Sequence, residues 1–140
     1  DIKDPVRKMD LLITAKNFVC PSLFMAEELK RNGGKTWVYQ FNRVRDDELA
    51  QKYGAFHGAE LPYVFDTHDQ WLPTNKADKV LTEEIQSYWL SFAKTGDPNN
   101  DGAVVWPEYE SSNDSTLVLD NEIYQRSHES SEICKIMDLF

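Results

Sequence analysis

Thr36-Trp37-Val38-Tyr39-Gln40-Phe41-Asn42 is the stretch whose reading decides the fold. β-branched and aromatic residues dominate it, and on a period of two apolar side chains fall on both faces, so it reads as a strand. A strand with neither face left to water belongs in the middle of a sheet with helices on either side. The expected class is therefore α/β, with the helices drawn from the segments before and after this strand.

Ahead of it, Val6, Met9, Leu11, Leu12 and Ile13 recur at helical spacing over residues 6 to 16, and the polar pair Lys16-Asn17 ends that pattern after three turns. Pro21 suits the first position of a second helix, with Phe24, Met25 and Leu29 as its core face and Asn32-Gly33-Gly34 as its stop.

Behind the strand, Arg43 to Lys52 is a charged connection with room for a helical turn. It leads into Tyr53-Gly54-Ala55-Phe56-His57-Gly58-Ala59-Glu60-Leu61-Pro62-Tyr63-Val64-Phe65, which sets one imidazole between glycines ahead of an apolar run. Gly permits close approach and positive φ, so His57 can stand where a substrate comes near; a solvated structural His fits the same residues.

Asp66 to Lys79 has no sustained period and reads as a surface loop with at most a short helical turn. Asp66, His68 and Asp69 invite a metal reading, but no further His or Cys has ligand spacing to them, and solvated loop is the better account. Metal sites and cofactors are not implied anywhere in the chain. Residues 82 to 94 read as a helix capped by Thr82 and ended by Gly96 and Pro98, with Leu81, Ile85, Tyr88, Trp89, Phe92 and Ala93 as its apolar stripe. Trp106-Pro107 covers that helix, Thr116-Leu117-Val118-Leu119 is a short strand near a sheet edge, and residues 130 to 140 carry Ile133, Ile136, Met137 and Phe140 on one helical stripe.

The 140 residues carry a net charge of −9, which disfavours nucleic acid and anionic membrane as partners, and their 41% apolar content supports a globular core. No apolar run approaches the eighteen or more residues that a membrane span needs. Cys20 and Cys134 can be two buried apolar residues or a bridge; Asn113-Asp114-Ser115 is a glycosylation sequon.

His57-Gly58-Ala59-Glu60-Leu61-Pro62-Tyr63-Val64-Phe65 resembles the catalytic-histidine segment of the type-B carboxylesterase and cholinesterase family. Tyr88-Trp89, Phe92-Ala93-Lys94-Thr95-Gly96-Asp97-Pro98-Asn99 and Trp106-Pro107 are similar to a later helix, turn and Trp-Pro pair of that family, and Phe18-Val19-Cys20-Pro21 to an earlier segment. The matches keep the family's order over roughly residues 12 to 140. One departure is Ala15, where the family commonly carries Asp.

The resemblance implies that residues 1–140 are the C-terminal part of one α/β-hydrolase domain, incomplete without an upstream part, acting on a small-molecule carboxylic ester. It implies that His57 is the general base of a Ser-His-Glu or Ser-His-Asp triad whose other members lie upstream, with Glu60 and Gly58 supporting it. No Gly-x-Ser-x-Gly elbow occurs in the chain, so the chain alone is expected to lack turnover. It further implies a Cys20–Cys134 disulfide, and with it a secreted or secretory-lumen location to which a glycan on Asn113 would be suited. His68 and His128 match no family motif and are expected to be exposed. Non-catalytic, adhesion-type relatives of the cholinesterases are the alternative, against which the retained His57 and Glu60 argue.

Overall fold

Asp4 accepts a hydrogen bond from the Val6 N–H at 2.9 Å, and with Pro5 in the first turn it starts a helix that runs through both predicted helices. In the computed structural model, which describes residues 4–69, 73–127 and 130–136, α1 (Pro5–Thr14) passes through a π-helical turn (Ala15–Val19) directly into α2 (Cys20–Arg31). The expected break at Lys16-Asn17 is absent. Pro21 has no N–H to donate and its ring crowds the preceding turn, and the wider π turn ahead of it accommodates both without ending the helix. Taken as one helix, Pro5–Arg31 has 27 residues and a window of mean hydropathy 1.2, long and apolar enough to cross a bilayer by length and composition. That differs from the expectation that no apolar run approaches such a length; a core helix of a soluble protein meets the same measure.

The chain divides into two compact units. The first comprises residues 1–38, 107–116 and 126–140. Its core is Ala15, Cys20, Leu23, Ala26, Tyr109 and Cys134, with Val19, Val38 and Ile133 against it. Ala15 is thus a core residue. The Cys20 and Cys134 sulfurs are bonded, joining α2 to α6 (Ser130–Ile136) with their Cα atoms 5.6 Å apart. Phe24, Met25 and Leu29, expected to be core, are 53%, 62% and 52% exposed. Two apolar stripes share α2, and the one with the smaller residues, Cys20, Leu23 and Ala26, is the one buried. Lys30 Nζ donates to the Tyr109 carbonyl at 3.0 Å, and the Tyr109 N–H donates to Thr36 O at 2.8 Å.

The second unit comprises residues 39–106 and 117–125. β1 (Tyr39–Phe41) runs parallel to β2 (Thr116–Leu119), with Tyr39 opposite Leu117 and Phe41 opposite Leu119, and β3 (Tyr124–Arg126) follows β2 in the sheet. The class is α/β, but the two strand positions are exchanged: β2 is central with all four residues buried, and β1 lies at an edge of this sheet. An unbroken apolar run marks a strand covered on both faces, which describes Thr116–Leu119 better than a place near the edge.

Parallel pairing requires a crossover. Here it holds α3 (Glu48–Tyr53), α4 (Leu61–Val64) and α5 (Lys76–Thr95). α5 starts earlier than expected, inside the predicted loop. The Asn75 side chain accepts from the Asp78 N–H at 3.0 Å and Asp78 accepts from the Asn75 N–H at 2.8 Å, a reciprocal capping box. Thr82, expected to be the cap, is buried within the helix. Leu81, Ile85 and Tyr88 face inward, Phe92 is 50% exposed, and Gly96 at φ +77° ends the helix. Trp106 is buried edge-on to Tyr88 and Tyr39, ring centroids 5.6 and 6.0 Å apart, and beside Trp89 at 5.6 Å.

Candidate active site

Gly54 closes α3, its N–H donating to the Ala50 carbonyl at 2.7 Å. His57 then occupies the second position of a four-residue turn closed by the Ala59 N–H on the Phe56 carbonyl at 2.9 Å. Gly58, next in the turn, has φ +85°, while His57 does not have positive φ, the combination that defines a type II turn. A β-carbon at Gly58 would make only an ordinary contact with Leu61 Cδ1 at 3.7 Å, but it would be strained by this left-handed φ. This is why Gly follows the histidine. The turn projects His57 outward, where it is exposed, while Ala59 behind it is buried.

Overlapping turns carry the chain onward. The Leu61 N–H donates to Gly58 O at 3.1 Å, and the Tyr63 and Val64 N–H groups donate to Glu60 O at 2.9 and 3.1 Å, opening α4 with Pro62 in its first turn. Glu60 is half-buried. Its charge acts on Tyr39, whose phenol is held above its ordinary pKa by burial first and by Glu60 second.

Beyond α4 lies a buried polar node absent from the sequence expectations. Tyr63, with no exposed surface, donates its hydroxyl to Asp78 Oδ1 at 2.8 Å, and Arg43 Nε donates to the same oxygen at 2.7 Å. Burial alone would raise the Asp78 pKa; the Arg43 guanidinium, the Asn75 N–H and the Tyr63 hydroxyl together hold it below the ordinary carboxylate value. Burial and the bond to Asp78 push the Tyr63 phenol up. The Arg45 guanidinium lies 5.1 Å from the Tyr63 ring centre, and the Phe41 ring packs at 5.0 Å.

His68, expected to be exposed, is half-buried edge-on to Tyr63 at 5.1 Å. The Thr82 hydroxyl donates to Asp78 O at 2.7 Å, so it accepts from His68 Nε2–H, also at 2.7 Å. The Thr74 hydroxyl stands 3.3 Å from Nδ1. Two hydroxyls therefore engage the ring nitrogens considered above for a metal, and Asp66 is paired with Lys79 at 3.3 Å.

His57, Gly58 and Glu60 share one continuous turn, and Cys20 and Cys134 form their bridge in the other unit. Asn113 is exposed, with the Ser115 hydroxyl donating to its side-chain oxygen. His128, Met137 and Phe140 lie outside the described residues. The node of Arg43, Tyr63 and Asp78 had one local signal, the Asn75-x-x-Asp78 spacing of a capping box.

The sequence pattern of the Carboxylesterase family matches residues 1–136. The chain belongs to this family. It is 40% identical over 101 residues to the para-nitrobenzyl esterase of Bacillus subtilis (strain 168), covering 69% of this chain and 20% of that protein. Acetylcholinesterase 1 of Caenorhabditis elegans is 32% identical over 117 residues, covering 78% of this chain and 19% of that protein. The crystal structure of a carboxylesterase from Geobacillus stearothermophilus superposes with TM-score 0.79 over 96% of this chain and 29% of its own, at 24% identity, a likeness of fold. The chain is thus part of an α/β-hydrolase fold, and it spans about a fifth of the length of the relatives it matches.

Proposed function

We propose that this chain is the histidine-bearing part of a serine carboxylic-ester hydrolase and that His57 is its general base. The observation that carries the reading is the exposed His57 on a turn whose next residue, Gly58, has positive φ. A solvent-facing imidazole on a backbone held by successive hydrogen bonds is suited to meet a hydroxyl brought by another segment.

In the reaction, His57 Nε2 takes the proton of a serine hydroxyl as its oxygen attacks the ester carbonyl, then returns that proton to the leaving alkoxide. A second His57 cycle activates the water that releases the acid. A carboxylate on Nδ1–H fixes the tautomer and stabilises the imidazolium. Serine, carboxylate and the N–H donors for the oxyanion belong to the rest of the protein, so the chain alone has no turnover. Glu60, half-buried three residues after His57, supports the site without serving as that carboxylate.

The rest of the same protein is the partner this reading requires. Val6, Met9, Ile13, Phe24 and Met25 stand exposed on α1 and α2, an apolar surface of the sort that a larger core covers. The Cys20–Cys134 bridge favours an oxidising compartment, where exposed Asn113 would accept a glycan. His57 and Glu60, both retained, favour the hydrolase over a non-catalytic adhesion protein.

The coding sequence ahead of Asp1 provides the test. A Gly-x-Ser-x-Gly elbow followed by an acidic residue supports the reading; upstream strands of the fold with the serine replaced would refute it in favour of the adhesion-type alternative.

A further inference from the structure

We propose that the Tyr63 hydroxyl and the Asp78 carboxylate are positioning groups for His57, setting where its turn stands by tying α4 to the first turn of α5. The proposal rests on the reading of His57 as general base.

The connection is short. Three overlapping backbone links, Ala59 to Phe56, Leu61 to Gly58 and Tyr63 to Glu60, lock the His57 turn to Tyr63, so a shift of Tyr63 is passed back to the imidazole. Tyr63 is completely buried, and its ring is already packed by Phe41, Arg45 and His68. Phenylalanine would satisfy that packing. What tyrosine adds is the 2.8 Å hydrogen bond to Asp78.

Asp78 is itself fixed from two further directions. Arg43, two residues past β1, donates to Oδ1, and the Asn75 N–H donates to Oδ2 as part of the α5 cap. The carboxylate thus gathers the end of a strand, the start of a long helix and α4 at one point, and Tyr63 is the arm that α4 extends to it. Another tie between α4 and α5, Gln86 Nε2 to Val64 O, is 3.5 Å long, at the far limit of a hydrogen bond. It holds α4 less closely than Tyr63 does.

Placement of a base matters more to the transition state than to substrate binding, and displacement of a reacting group by an ångström costs on the order of a hundredfold in rate. The effect of losing the hydroxyl should fall on kcat and spare KM.

The test is Tyr63→Phe in the complete protein, with a p-nitrophenyl ester as probe and kcat expressed per site titrated by an organophosphorus ester, so that unfolded molecules are not counted. The expected result is a kcat about ten- to a hundredfold lower with KM within about twofold of the parent. A kcat per titrated site within about twofold of the parent overturns the positioning role, whatever happens to the number of active molecules. If Tyr63→Phe yields no soluble protein, Asp78→Glu, which keeps the charge and moves the acceptor by one methylene, is read by the same two outcomes. His57→Ala, measured alongside, separates the two claims. Full turnover in that variant removes the base reading itself, whereas its loss together with an unimpaired Tyr63→Phe removes only the positioning role.

Discussion

Arg43 and Asp78 form a buried ion pair, Nε to Oδ1 at 2.7 Å, with 3% and 1% of their side chains exposed. Such pairs add little net stability over apolar residues of the same shape, but breaking one strands the other charge in a poorly solvated place. Arg43→Met in the complete protein should therefore cost about 3–5 kcal/mol, and the double change Arg43→Met with Asp78→Leu should cost less than the single one. Unfolding curves of the three proteins provide the check. A single variant no weaker than a typical surface substitution would contradict the buried pair.

His68 makes a prediction about acid. Its pKa is lowered by burial first, then by the charges of Lys79 and Arg45, so the unfolded chain takes up its proton at a higher pH than the folded one. Stability therefore rises with pH across that interval. His68 contributes fully above its unfolded value of about 6.5, and the contribution is lost as pH falls through the lowered folded value. His68→Gln, which never gains a charge, should flatten the decline in unfolding temperature between neutral and mildly acidic pH. A decline of unchanged slope would show that protonation of His68 is not coupled to folding.

The Cys20–Cys134 bridge closes a loop with a sequence separation of 114. Closing a loop of that length removes unfolded-chain entropy worth about 4–5 kcal/mol. Native protein treated with an alkylating reagent should show no added mass until it is reduced, and reduction should lower its resistance to denaturant. Two reactive thiols in the unreduced native protein would refute the bridge.

How much of this could be read beforehand follows from which interactions are local. The α/β class is legible in Thr36–Asn42 because strand composition and two-faced apolarity are properties of a few neighbouring residues. Which of two such runs is central is not local, and β1 and β2 are exchanged for that reason. Pro21 marks a helix start in most sequences, and only the π turn before it lets one helix continue. The helix start at Lys76 is written in Asn75 and Asp78, yet the apolar stripe that draws attention begins at Leu81. Arg43 and Asp78 look like solvated charges because their pairing spans 35 residues. By contrast the His57 turn is legible, since a glycine after the histidine carries the positive φ that the turn requires.

The most direct measurement on the central claim is ester turnover by the complete protein with His57→Ala. A general base acting as one of a set of cooperating residues supplies several powers of ten, so kcat should fall by at least about a thousandfold while the unfolding temperature stays near that of the parent. Turnover within a few-fold of the parent, in protein that remains folded, would contradict the role given to His57.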